Sequence, residues 1–290
     1  MPALLRRLSP RCGSKLHLHF DDTLPFGAKD HFFHFFHGYL IPGLALSRAA
    51  GVRRVSFEAC GPLMTPKLAE ACALAGLRLQ PAPPPEAEEP NTAARVVPRW
   101  DELLYRTDST HQTPDDIRAF HALPGDLRDL LLTRAQKACK ARGTLDTWQR
   151  TDLLVLKRSP EHPYYAPGGA ARLSGYGRGR RALLNTAEIA EHLAGCGHRV
   201  REIDLGTLPL WDQIMAFRHA DLVIGARGAE FAHLFWMRPG TTAMMFATPL
   251  QPENNASRSL AEIFQLRFIA PKVDDHLFSV LPEQVCAYLA

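Results

Sequence analysis

One stretch limits the possible folds more than any other: Ala220-Asp221-Leu222-Val223-Ile224-Gly225-Ala226-Arg227-Gly228-Ala229-Glu230-Phe231, running on to Met237-Arg238-Pro239-Gly240. Leu222, Val223 and Ile224 form a short apolar run, as expected of a parallel strand covered on both faces. A turn over 225–228 and a helix start follow, and a second strand is expected over 242–246, after the Pro-Gly. Gly225 and Gly228 let backbone approach a ligand closely, and the free N–H groups of a following helix favour a phosphate. Open α/β sheets bind ligands at such turns, at the carboxyl ends of parallel strands.

The same strand–helix alternation runs through the second half. Strands are predicted over 152–157, 199–203, 221–224, 242–246 and 266–269. Helices are predicted over 185–195 (capped by Asn185 or Thr186), 210–218, 231–237, 260–264 and 282–288. Repeated units of this kind predict a doubly wound parallel sheet. In the first half, strands are predicted over 16–20, 52–58, 77–80 and 96–100, with a helix over 66–75 ended by Gly76. The segment 30–46 is aromatic and apolar, with His31, His34 and His37 three apart, which predicts one helical stripe of histidines. That stripe fits a packed core helix or a helix that carries a catalytic histidine. Residues 81–90, rich in Pro, Glu and Ala, read as an exposed loop. Thr113-Pro114-Asp115-Asp116 reads as a helix start, with helical pattern continuing past a break near Pro124-Gly125 to about Ala141. The domain junction is placed there, separating 1–145 from 146–290.

The 290 residues are 46% hydrophobic and 22% charged, which suits a globular chain of two domains. A net charge of +4 argues against a nucleic-acid partner. Arginines cluster over 172–181, which fits a diphosphate or an acidic sugar and equally a solvated basic loop. The cysteines at 12, 60, 72, 139, 196 and 286 form no C-x-x-C pair, so neither a zinc site nor a disulfide framework is predicted. Reduced thiols, the lack of a long apolar run and the lack of a signal-like N-terminus predict a cytoplasmic protein. Residues 1–8, with two arginines, leave room for peripheral contact at the inner membrane face. The dinucleotide fingerprint fails at Arg227 and Glu230, and no Walker loop, H-E-x-x-H or G-x-S-x-G occurs. Absence of a D-x-D pair argues against an essential metal, so neither a metal nor a resident cofactor is predicted.

Lys157-Arg158, then Arg181-Ala182-Leu183-Leu184-Asn185-Thr186-Ala187-Glu188, the segment 197–204, the segment 220–228 and Arg238-Pro239-Gly240 resemble, in order and spacing, the C-terminal half of family 61 glycosyltransferases. His31-Phe32-Phe33-His34-Phe35 and Tyr39-Leu40-Ile41-Pro42 resemble that family's aromatic histidine helix. The resemblance covers about 150–250 and 30–46, and residues 80–145 carry none. It implies a GT-B fold, with two Rossmann-like domains facing a cleft. The N-terminal domain would hold a glycan or lipid-linked acceptor and the C-terminal domain a nucleotide-sugar, the co-substrate. It further implies metal-independent transfer with inversion, in polysaccharide biosynthesis. The implied donor-binding residues are Arg158, Arg181, Asn185, Gly225, Arg227, Gly228, Ala229 and Glu230, and the implied base is His34. From the residues alone, Arg158 and Arg181 fit surface ion pairs as well as a ligand. The chain departs from the family pattern at Arg227 (usually His), His233 (usually Asn) and Met245 (usually Glu). Those departures motivate an alternative to an active transferase: a non-catalytic transferase fold that binds a glycan or a protein partner.

Overall fold

The computed structural model describes residues 15–23, 27–82, 92–97, 99–104, 125–171, 177–247 and 255–288. The expectations for 1–8, for most of the 81–90 loop, for the helix start at 113–116 and for the arginine cluster over 172–176 lie outside the described residues. Among the described residues, those up to Leu104 together with 125–134 form one compact unit, and those from Ala135 onward form another. The division falls within the helix Gly125–Arg142.

In the first unit, β1 (Lys15–Phe20) alternates apolar and polar residues, and Leu16 and Leu18 are fully buried. It lies parallel to β2 (Arg54–Phe57) on one side. The short β3 (Arg78–Leu79) pairs with the far side of β2, and β4 (Thr92–Val97) lines the other side of β1. The order is β3-β2-β1-β4, all parallel, so the chain reverses its direction of progress between β1 and β4. The crossover from β1 to β2 is helical from Phe32 to Ala49, but Phe36–Leu40 forms a π-helical turn. Pro42 has no N–H to give the Gly38 carbonyl, so the regular ladder must break here. This breaks up the expected histidine stripe. His31 precedes the helix in extended conformation, and His37 is buried against Phe33 and Phe36. The helix Gly61–Ala75 begins five residues before the expected start at 66, with Pro62 in its first turn, and it ends at Gly76 (φ +74°) as expected.

The second unit contains β5 (Leu153–Lys157), β6 (Ala182–Leu183), β7 (Val200–Asp204), β8 (Leu222–Ala226), β9 (Thr242–Phe246), β10 (Arg267–Ile269) and β11 (Leu277–Phe278). Five of these form a parallel sheet in the order β10-β9-β8-β5-β7, and β6 pairs with β11. Both faces of the sheet are covered. One face packs Val155, Ile224 and Met244 against Ile189 and Leu193 of the helix Thr186–Gly195 and Val285 of the helix Pro282–Ala287. β8 runs two residues past its expected end, because its pairing with β9 continues through Gly225↔Met245 and Ala226↔Phe246. Gly225 is therefore a strand residue, and a Cβ there would meet Leu156 Cβ at 3.0 Å. The segment Ala229–Trp236 is a 3-10 helix, not the expected α-helix, and it opens with a three-residue closure from Phe231 N to Gly228 O (3.2 Å). Counted within this unit, the strand order is 2-1-3-4-5, and it reverses between β5 and β8.

Candidate functional site

The strand order of each unit selects the place where a ligand is expected, at the carboxyl ends of the two strands that flank the reversal. In the second unit these are β5, followed by Arg158, and β8, followed by Arg227. Arg158 Nη2 donates to the Arg227 carbonyl at 2.8 Å and pairs with Glu230 Oε2 at 3.3 Å. Gly228 lies between them. Its backbone is extended (φ −174°), so its lack of a side chain serves space: a Cβ would run into the Arg158 guanidinium and the Glu230 carboxylate. Arg180 and Arg181 enter just before β6, from a loop whose Gly179 N–H is held by Glu161.

Burial pushes the Arg181 pKa down. The positive charges of Arg158, Arg180 and Arg227 push it further, against the opposing Glu230, to about 9. The Nε atoms of Arg158 and Arg181 are buried without a hydrogen-bond partner among the described residues. Arg181 thus lies within the field of three other guanidinium groups and one carboxylate, and Arg158 and Arg181 keep donors in reserve. Charge crowding of this kind is costly unless an anion rich in oxygen relieves it. The sequence-nominated Arg158, Arg181, Arg227, Gly228 and Glu230 come together here. Ala229 opens the 3-10 helix beside them, and Gly225 stays within β8. Asn185 uses both ends of its amide elsewhere: Nδ2 donates to Val280 O (2.8 Å) and Glu188 (3.1 Å), and Oδ1 accepts from Val280 N (3.2 Å). Arg180 was not singled out, although the arginine cluster over 172–181 contains it.

In the first unit the reversal lies between β1 and β4. His34 Nδ1 stands 2.7 Å from Asp101 Oδ2; the Asp101 side chain is fully buried and that of His34 is 17% exposed. Arg99, just past β4, donates to the same carboxylate through Nε (2.7 Å) and Nη2 (2.5 Å). Its Nη1 reaches the Asp21 carbonyl, just past β1, at 3.3 Å. Burial raises the Asp101 pKa, but the hydrogen bonds from Arg99 and His34 outweigh it and hold the carboxyl below its ordinary value. An ionised Asp101 only accepts, so Nδ1 carries hydrogen, and in the neutral His34 ring Nε2 is then the acceptor. A histidine held in this tautomer by a buried carboxylate has the arrangement of a general base. Gly38 gives the carboxylate room, since a Cβ there would collide with Asp101. Sequence reading missed Arg99 and Asp101, and their position directly after a strand end was the available signal.

A second histidine–carboxylate pair joins β1 to the residue after β2: His19 Nδ1 to Glu58 Oε1 at 2.8 Å, with Lys29 Nζ to Glu58 Oε2 at 2.5 Å. Burial raises the Glu58 pKa, but the bonds from Lys29 and His19 bring it below the ordinary value. Two of the three departures from the family pattern are buried. Met245 is inside β9, and His233 packs its ring 5.1 Å from that of Phe217. No helix among the described residues is long and apolar enough to cross a membrane.

The family model described as Glycosyltransferase 61 matches residues 32–244. The matched stretch takes in the four arginines and Glu230 as well as His34, Arg99 and Asp101. No curated protein matches the chain.

Proposed function

The chain belongs to the glycosyltransferase 61 family, and on that premise we propose that it moves a sugar from a nucleotide-sugar to a glycan or lipid-linked acceptor in polysaccharide biosynthesis. The observation that carries this reading is the group of partly buried, like-charged arginines (Arg158, Arg181 and Arg227) at the strand-order reversal of the second unit. As the bond from the anomeric carbon to the diphosphate breaks, negative charge grows on the leaving phosphate. Arg158, Arg181 and Arg227 are the groups that would stabilise it, and Glu230, already paired with Arg158, would hold the cluster in register. No metal is needed in this reading. His34 Nε2 would take the proton of the acceptor hydroxyl as its oxygen attacks the anomeric carbon from the face opposite the leaving group, giving inversion. Asp101 would stabilise the imidazolium formed. The reading includes the GT-B arrangement, with both units bordering one cleft, and a cytoplasmic location. It retains Ala229 as a backbone donor near the phosphates.

A thermal-shift panel of UDP-, GDP-, CMP- and dTDP-linked sugars tests the donor site. A ligand at 100 times its Kd stabilises by about 2.7 kcal/mol, so the correct nucleotide should stand out. Arg181→Ala should weaken that nucleotide by about 1.5–3 kcal/mol, the scale of a lost charge-assisted hydrogen bond. Unchanged affinity in this variant would remove the arginine cluster from the donor site.

A further inference from the structure

The helix Thr186–Gly195 carries His192 in its last turn and Cys196 at its C-cap, four residues apart and therefore on one face. The closing helix Pro282–Ala287 carries Cys286 in its last turn. A ligand atom from each of these side chains lies within 4.8 Å of the other two. Glu283 Oε1 lies 4.0 Å from His192 Nδ1. We propose that His192, Cys196 and Cys286 bind a thiophilic divalent cation, zinc in the first instance, with Glu283 placed to supply a fourth ligand.

The chemistry fits the cation. Two thiolates and a neutral imidazole are soft to borderline donors that select zinc over magnesium or calcium. Tetrahedral zinc–sulfur bonds of about 2.3 Å put ligand atoms roughly 3.7 Å apart. The observed spread closes to that with a shift of about 1 Å, within the reach of side chains that are exposed (Cys196) or partly exposed (His192, Cys286). Cys196 and Cys286 each sit at the C-terminal end of a helix, where the helix dipole favours a positive charge. Binding would release the two thiol protons and leave a zinc site with no net charge before Glu283 is counted.

The role is structural. The cation would tie the last helix to the helix Thr186–Gly195, two elements that already share the core contacts of Ile189, Leu193 and Val285. It would also steady the β6–β11 pair, which leads into both helices and directly follows Arg181.

The test uses the full chain, reduced and stripped with a chelator, then titrated with cobalt(II) as a spectroscopic probe. One cobalt per chain should bind, with an intense thiolate-to-metal charge-transfer band and the visible spectrum of a tetrahedral ion. Zinc should then displace it and raise the melting temperature. Cys286→Ser and His192→Ala should each weaken binding by at least about tenfold. The metal-free melting temperature of each variant should match that of the stripped parent, which separates loss of a ligand from loss of the fold. Cobalt binding without the charge-transfer band, or binding unchanged in Cys286→Ser, would overturn the proposal. So would a reduced parent chain that takes up no zinc. None of these readouts depends on sugar transfer.

Discussion

Replacing His34 with alanine is expected to lower turnover by roughly two to four powers of ten while leaving nucleotide affinity nearly unchanged. Asp101→Asn should lower turnover by a comparable factor, because the amide can hold the wrong tautomer. If the two act as one unit, the double variant should be little slower than either single one. Losses that multiply would separate them. The acid limb of stability offers an independent check. A carboxyl held below its ordinary value adds stability that is complete above about pH 4 and lost as pH falls through the folded-state pKa. Asp101→Asn should flatten that limb. Arg181 has the opposite sign. Its pKa is depressed to about 9, so its charge opposes folding in full below that pH, and the cost begins to fall only as pH rises above about 9. Arg181→Met is therefore expected to raise the melting temperature of the ligand-free protein by about 2 °C or more while abolishing stabilisation by a nucleoside diphosphate. A variant that melts lower and still responds to the diphosphate would contradict the anion-site reading.

At the scale of elements, Gly228 joins β8 to the 3-10 helix at the point where Arg158 passes. The atoms that a Cβ at Gly228 would meet are the far ends of Arg158 and Glu230, which can swing aside without unfolding the strand. Gly228→Ala is therefore expected to keep its melting temperature within about 1 °C and to weaken nucleotide binding by about 1–2 kcal/mol, read by calorimetric titration. Helix packing rests on another single side chain. Asp212, buried in the helix Leu210–His219, accepts from Thr144 Oγ1 (2.7 Å), Trp148 Nε1 (2.7 Å) and Cys139 Sγ (3.2 Å). Asp212→Ala leaves the indole and hydroxyl donors unpaired and should cost about 1–3 kcal/mol, seen as a lower urea midpoint with an unchanged slope.

At the scale of the whole molecule, a chelator should leave turnover unchanged at temperatures well below the melting transition, since arginines are proposed to meet the leaving-group charge. Activity lost to the chelator and restored by magnesium or manganese would count against metal-independent transfer. Product formation also separates a working transferase from a non-catalytic relative. Arg227, one of the three departures from the family pattern, still stands in the cationic cluster.

Local pattern made much of the second unit, and one helix end of the first, legible in the sequence. The apolar runs at 153–156, 222–224 and 242–246 became neighbouring parallel strands, and Gly76 ended its helix, because strand burial and the left-handed helix end act over a few residues. The basic turn after β8 was legible for the same reason. What tertiary structure alone decided were the partners and the sharing of load. Asp101 reaches His34 across 67 residues, and Arg158 reaches Arg227 across 69. Cys286 meets His192 and Cys196 only because two helices share one face of a sheet. A linear sequence gives residue types and their spacing along the chain, whereas these contacts depend on which strand lies beside which. The order of each sheet, set by packing of the whole unit, supplied that information.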